Sequence, residues 1–600
     1  MKSKKDSFII SAEAHQSGYI NFRIDYNKLF GLIINKTLFS EEYKYQDIGN
    51  NEFIIIEHTS VNPNKAIHIG HLRNIILGDS LYRIFKNTNH DVKVLNYIDD
   101  SGVQVADIVV AFLYAGFPET PSDPETKYDH YCGDVYVKVT NMMEQDKLLL
   151  EKRKIVIREI ENGDSKIAVY SSDLVKKILK EQLKTCAEMR SRYDLLNIES
   201  DMIKSKLWEK SFQILKDKNI IYFAKEGKNV NCWVIKTADE EDEKVIVRSD
   251  GTVTYFAKDI PYALWKLQII DDPFDYEEYE KQWDGSKIWM TTIDKNKQLK
   301  NHNEKKFFEK KPAKVITIID SRQARLQNLI ISIIKKIKPD ENNYYYLGYE
   351  AVTLSPLTSK ILGFEPEKNI VHMSGRKGLF VNADILIDQL KTKLVQEIEK
   401  RNQNQTMQLD EINKIAQGIA ISTIRYSLIK QDLDKIIVFD INEATNLDGD
   451  TSLYLQYAYA RAHRILEKSD VIDDELIRLA KLYSEKRIPI YSSDIEVIFQ
   501  NDRGFPLDTL NFRIEEINLI KDLAKFDQII EQTLETLNPK VLARYANTIA
   551  TKFNLFYENV PVLKETDQNL RNERLFLVKS FIIILNNVFD LIGIVPLSKI

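Results

Sequence analysis

Cysteine, glycine and proline are all scarce in this chain, with 3 Cys, 20 Gly and 15 Pro in 600 residues. Cys132, Cys186 and Cys232 lie too far apart for a disulfide framework or a CxxC zinc knuckle. Low glycine and proline exclude collagen-like and low-complexity disordered chains. No uninterrupted apolar run approaches the roughly 20 residues that span a bilayer. The basic start MKSKKDSFIISAEAH is followed by too short an apolar stretch for a secretory signal. A cytoplasmic protein with reduced thiols and no membrane partner is therefore expected. Positive charge is not in excess either. The net charge of −5 announces no nucleic-acid partner, although a basic groove can sit on an acidic protein.

What is present is an ordinary globular composition, 44% hydrophobic and 29% charged. At roughly 150 residues per domain, this length suggests about four domains. FIIIE at 53–57 reads as a buried strand, His68 to Asn87 as an amphipathic helix, and VKVLNYI at 92–98 as a second strand. Together they predict a βαβ unit, hence a parallel sheet with a right-handed crossover. Residues 120–240 are mostly charged helical stretches and read as an insertion. The strand–helix pattern resumes at TVTYFAKDIPYALWKL (252–267) and KVITIID (314–320). The Lys/Asn-rich stretch 292–312 reads as a solvated loop. From about residue 385 the chain reads as helical to its end, with Leu455, Ala458, Ala462 and Ile465 on one apolar face.

Three histidines, His58, His68 and His71, fall close together, and the last two form H-I-G-H at a helix start. Side chains three apart share a helical face, so both imidazoles can address one ligand. A helix N-terminus favours phosphate, and Gly70 permits close approach of a nucleotide. A metal pair or two surface histidines are the alternatives. No Cys or acidic residue stands at ligand spacing, so no metal is expected.

Taken together, four stretches resemble the arginyl-tRNA synthetases, a family of class I aminoacyl-tRNA synthetases. They are EHTSVNPNKAIHIGHLRN (57–74) with NYIDDSGVQ (96–104), RSDGTVTYFAKDIPYAL (248–264), HMSGRKG (372–378) and GDTSLYLQYAYARAHRIL (449–466). They occur in family order. The resemblance implies an α/β fold: a class I Rossmann-like parallel-sheet catalytic domain with a largely helical insertion, followed by an all-α anticodon-binding domain. The expected boundaries are a remnant of an N-terminal tRNA-elbow-binding domain at 1–50, catalytic halves at 51–120 and 241–390, the insertion at 121–240 and the helical domain at 391–600. Only QSGYINFRIDYNKLFGLIIN (16–35) resembles the end of that N-terminal domain, which puts elbow recognition in doubt.

The resemblance further implies ATP-dependent ligation of L-arginine to tRNA(Arg) through an arginyl-adenylate. ATP with Mg²⁺ would be a substrate complex, with no tightly bound cofactor, and the enzyme a monomer. A tRNA-binding paralogue without activity is the rival. His68, Gly70 and His71 would contact ATP, with Met373 and Ser374 near the adenine and Lys377 on the phosphates. The first lysine of the family's KMSKS pattern is His372 here, and Lys65 is placed to supply the missing charge. Glu57, Ser60, Asn62, Tyr255, Asp259 and Gln323 would bind arginine, whose planar guanidinium calls for a carboxylate fork. The alternative for Asp259 is a helix N-cap. A pocket that buries paired polar groups rejects analogues lacking them by about 10⁴–10⁵, so no editing domain is expected. Tyr457 and Arg461, one helical turn apart, would stack on anticodon bases, with core packing the alternative for Tyr457.

Overall fold

The central strand Phe53–Glu57 is buried along its whole length, as a strand covered on both faces must be. It sits third in a seven-stranded sheet ordered 344–349, 314–320, 53–57, 91–98, 195–198, 287–292 and 275–281. All neighbours are parallel except Asp275–Lys281, which runs antiparallel at one edge. The chain builds outward from Phe53–Glu57 to one side, then returns to its other side with Lys314–Asp320. Between these two strands the order reverses, which opens a crevice at their carboxyl ends. Alternation along the strand sends Ile55 into a core with Leu95, Leu195, Trp265, Val315 and Ile333. Helix Ile69–Asn87 packs on the sheet, with Leu72, Ile75, Ile76 and Ile84 fully buried. The structure, a computed structural model, describes residues 9–39, 43, 45–236, 243–293, 307–363, 381–401, 407–469, 471–487 and 512–600.

The insertion differs from its sequence reading. A helical cluster, Val103–Tyr114, Tyr128–Gln145, Lys147–Asn162 and Lys166–Glu188, has its own core around Val109, Cys132, Val139 and Ile178. Leu195–Ile198, read as part of the insertion, is instead a strand of the central sheet. Four residues are too few to show a period. Beyond it, Ile221–Phe223, Trp233–Lys236 and Glu243–Val247 form a small antiparallel sheet that was not expected.

The chain divides into two compact units. One comprises residues 48–390 and 431–441, the other 1–47, 391–430 and 442–600. The first 47 residues thus group with the C-terminal helices rather than forming a body of their own. The reading of continuous helix from 385 is also corrected. Ile437–Phe439 is a strand, paired in parallel with Val352–Leu354 of the unit that holds the central sheet. The fully buried Arg73 holds this segment by donating to the backbone oxygens of Asp432 (2.7 Å), Lys435 (2.9 Å) and Glu350.

In the other unit, Leu455, Ala458, Ala462 and Ile465 are buried on one face of helix Ser452–Glu467. Among the described residues one helix, Gln568–Ile592, is long and apolar enough to cross a membrane. Its Phe581, Leu585, Val588 and Phe589 are fully buried, and it packs against helices Tyr26–Leu38, Ser452–Glu467 and Lys540–Asn559.

Candidate active site

The crevice where the strand order reverses holds a cavity of about 760 Å³. Its floor is the carboxyl end of the sheet, and one wall is the loop 58–68. That loop is strained and tied down. Thr59 (φ 77°) and Ser60 (φ 45°) occupy the left-handed region, which side chains other than glycine adopt only when their surroundings impose it. Asn74 accepts from the Thr59 amide at 2.5 Å and Asn96 from the Ser60 amide at 3.0 Å. The Gln182 amide donates to the backbone oxygens of Asn62 (3.1 Å) and Lys65 (2.8 Å). Three elements thus fix the loop, and Ser60, Asn62 and Lys65 all line the cavity.

His68 is the N-cap of helix Ile69–Asn87, and it forms a reciprocal cap with His71. Each ring's Nδ1 accepts from the other residue's backbone N–H, both at 3.3 Å. The rings stack with centroids 3.4 Å apart at 19°. An Nδ1 used as acceptor leaves the proton of a neutral imidazole on Nε2, so both rings offer an N–H donor. Both stay neutral. Burial, then the Lys65 charge, lowers His68 to about 3, and burial, His68 and Lys65 lower His71 well below its ordinary value. A Cβ at Gly70 would lie 3.0 Å from His68 Cε1, so glycine leaves room for the cap as well as for a ligand. Lys65 Nζ lies 5.9 Å from the centre of the Tyr136 ring.

Opposite, helix Tyr255–Lys266 contributes Asp259, Tyr262 and Lys266 to the cavity wall. Its N-cap is Thr254, so Asp259 lies within the helix and is not the cap that position alone suggested. Burial, then repulsion from Glu57, raises Asp259 to about 7, with Lys266 opposing. Glu57 has a partner that the sequence reading missed. It is ion-paired with Lys266, whose side chain is only 1% exposed. Thr317 donates to the same carboxylate at 3.1 Å, and the Lys266 ammonium lies 4.4 Å from the Tyr262 ring centre and 5.2 Å from that of Tyr344. The signal was present: 259, 262 and 266 share one helical face. Gln323 lines the same cavity. Tyr255 is the first residue of the helix.

His372, Met373, Ser374 and Lys377 lie outside the described residues. Just beyond them Asn382 bridges to His68, and the Ala383 amide donates to Ile67 O at 2.8 Å. Asp384 then accepts from His130 (2.6 Å), Lys127 (2.9 Å) and Thr185 (2.8 Å). Burial raises its carboxyl, but these partners outweigh burial and hold it at about 2. Among the described residues, Asp129, His130 and Asp384 form a group close enough to hold a metal ion. The Lys127 ammonium, 3.6 Å from Asp129 and 2.9 Å from Asp384, already supplies the cation.

In the helical unit Tyr457 is exposed. The Arg461 guanidinium lies 5.2 Å from its ring centre and 4.6 Å from that of Tyr557, and donates to Asn554 at 2.7 Å. Tyr557 and Asn554 were missed because they lie on another helix, far along the chain.

Comparison with known proteins joins these features. Residues 33–272 and 281–441 match the profile of tRNA synthetases class I (R), catalytic domain. Residues 455–600 match the DALR anticodon binding domain. The catalytic match ends at 441, where the catalytic unit also ends. The arginine–tRNA ligase of Thermococcus sibiricus is 31% identical over 613 residues, covering 99% of this chain and 88% of that protein. That of Pyrococcus furiosus is 32% identical over 605 residues, covering 96% and 86%. The arginyl-tRNA synthetase structure from Thermus thermophilus superposes with a TM-score of 0.79 at 28% identity, covering 99% of this chain and 89% of the other. With a class I sheet, a histidine-capped helix at its crevice and a helical anticodon-binding domain, the chain belongs to the arginyl-tRNA synthetases.

Proposed function

We propose that the cavity binds ATP, as its Mg²⁺ complex, together with L-arginine, and joins them as arginyl-adenylate. The arginine carboxylate oxygen attacks the α-phosphorus and pyrophosphate leaves. A ribose hydroxyl of the terminal adenosine of tRNA(Arg) then attacks the carbonyl carbon, releasing AMP. The observation that carries this reading is the cavity's division of labour. Neutral Nε2–H donors of His68 and His71, with the Lys65 cation beside them, stand on one side. Asp259, a carboxylate without an ion-pair partner among the described residues, stands on the other.

Donors already in place where phosphate charge develops cost no reorganisation at the moment of reaction. Holding two substrates in one crevice supplies the rest through orientation. Lys65 takes the place of the lysine replaced by His372, and Met373, Ser374 and Lys377 complete the nucleotide site. Ser60, Asn62, Tyr255 and Gln323 bind arginine with Asp259. The Tyr457–Arg461–Tyr557 surface receives anticodon bases, which stack on aromatic and guanidinium planes. The enzyme acts as a cytoplasmic monomer.

The test is ATP–pyrophosphate exchange with each amino acid, with and without tRNA. Arginine alone should support exchange, and tRNA should be required or strongly stimulatory, as is usual in the family. Absence of exchange with every amino acid in the presence of arginine tRNA would favour the inactive paralogue.

A further inference from the structure

One face of helix Lys166–Glu188 carries two buried polar side chains one turn apart, Gln182 (3% exposed) and Thr185 (1%). Each holds a segment from elsewhere in the chain. Gln182 holds the loop 58–68 through the backbone oxygens of Asn62 and Lys65. Thr185 donates to Asp384 Oδ1 at 2.8 Å and accepts from the Lys127 ammonium at 2.9 Å. Lys127 and His130, at the start of helix Tyr128–Gln145, take the other carboxylate oxygen, Oδ2. Both oxygens of Asp384 are therefore engaged, by three side chains of the insertion.

Asp384 lies in the first turn of helix Ala383–Arg401, which follows the motif HMSGRKG. The two residues before it are tied to the other motif. Asn382 bridges to His68, and the Ala383 amide donates to Ile67 O. Among the described residues Asp384 is not one that lines the cavity, whereas His68 is. A displacement at Asp384 therefore reaches the phosphate side of the crevice through two residues of backbone. A carboxylate in a first helical turn stabilises that helix by its charge alone. That role needs no partners, yet Asp384, 14% exposed, is gripped by donors from two other helices.

We propose that Asp384 is a positioning residue for ATP: through it, helix Lys166–Glu188 holds the chain just beyond the HMSGRKG motif in register with the helix start at His68. This rests on the ATP reading above and extends it to residues outside the cavity. Gln182 sets the loop before His68, and Thr185 sets Asp384, so one helix spaces the two motifs. Reaction in a shared crevice depends on such spacing, and a misplacement of about 1 Å imposed from afar can cost on the order of 10²-fold in rate.

The experiment is Asp384→Asn in the full chain, which keeps size but turns one acceptor toward Lys127 and His130 into a donor. Thr185→Val is the milder second substitution should the first fail to fold. Exchange kinetics for ATP and for arginine are measured with tRNA present, below the melting onset of each variant. The Michaelis constant for ATP should rise about tenfold or more in Asp384→Asn and about fivefold in Thr185→Val, the scale of losing hydrogen bonds to a charged group. That for arginine should stay within about twofold. Combining the two substitutions should be no worse than Asp384→Asn alone, because Thr185 acts through that carboxylate. A residue that merely stabilised its helix would lower the melting temperature without separating the two constants. An ATP constant within about twofold of wild type in a folded variant, constants for ATP and arginine that rise together, or additive losses in the double variant would overturn the proposal. Wild-type behaviour separates the two levels. If wild type shows no ATP-dependent exchange, the enzymatic reading fails; if it does and Asp384→Asn is indifferent, only the role of Asp384 fails.

Discussion

Glu57→Gln tests whether the strand-end carboxylate serves the fold or the substrate. The substitution keeps size and shape and removes one charge from a pair in which Lys266 is 1% exposed and Glu57 10%. Removing one partner of a buried pair costs about 3–5 kcal/mol, because the other charge stays buried without compensation. The Tyr262 and Tyr344 rings continue to face the ammonium and each offset part of this, so the lower figure, about 3 kcal/mol, applies. At about 2–4 °C per kcal/mol for large domains, the catalytic unit should melt about 6–12 °C lower in scanning calorimetry. Adding Lys266→Met should restore much of the loss, since an apolar replacement for a buried pair is often neutral. Arginine binding at saturating pH should change little. Removing the Glu57 charge also removes a repulsion that raises Asp259, so the pH at which arginine affinity begins to fall should move lower. A Glu57→Gln protein that melts like wild type but needs tenfold more arginine would refute this and return Glu57 to the guanidinium.

Asp259→Asn should raise the arginine Michaelis constant at least about tenfold, because an acceptor facing a charged donor becomes a donor, while that for ATP stays put. In wild type the same constant should rise as pH falls through about 7, where Asp259 takes up its proton. A carboxyl raised in the folded state stabilises that state at low pH and loses its contribution as pH rises through 7, so arginine should protect against heat more at pH 8 than at pH 6. Equal protection at both would contradict the assignment. His71→Ala should slow activation by about 10²–10³, and exchange within twofold of wild type would remove His71 from the phosphate site. Arg461→Ala should raise the constant for tRNA in aminoacylation by about tenfold, the scale of a lost stacking contact, leaving arginine and ATP unaffected. A change in the small-substrate constants instead would make Arg461 a packing residue.

The first strand, its helix and the second strand were legible because each is long enough to show its period and two faces of the strand are apolar. His68 and His71 were legible as a pair at one helix start. Their reciprocal cap, which settles the tautomer, was not, since it depends on backbone geometry at a helix start. Leu195–Ile198 was hidden by its brevity between Arg192 and Glu199. The partner of Glu57 was recoverable from spacing once Asp259 was placed, because Lys266 lies two turns further on the same helix. The stacking of Arg461 between Tyr457 and Tyr557 joins helices 93 residues apart at Asn554, a distance over which local pattern carries no information.

The strand Ile437–Phe439 has a consequence for vectorial synthesis. A nascent chain released as far as residue 390 has made nearly all of the catalytic unit, yet Val352–Leu354 still presents an open edge. Arg73, in the histidine-capped helix itself, then has the Glu350 oxygen but neither Asp432 nor Lys435. An open strand edge invites foreign pairing, and a buried guanidinium short of acceptors destabilises its surroundings. The ribosome must therefore deliver Lys391–Lys430, which belongs to the helical unit, before the catalytic unit can close. Any dissection that aims to isolate a working catalytic fragment has to retain residues 431–441, either by running through to 441 or by grafting that strand back with a short linker.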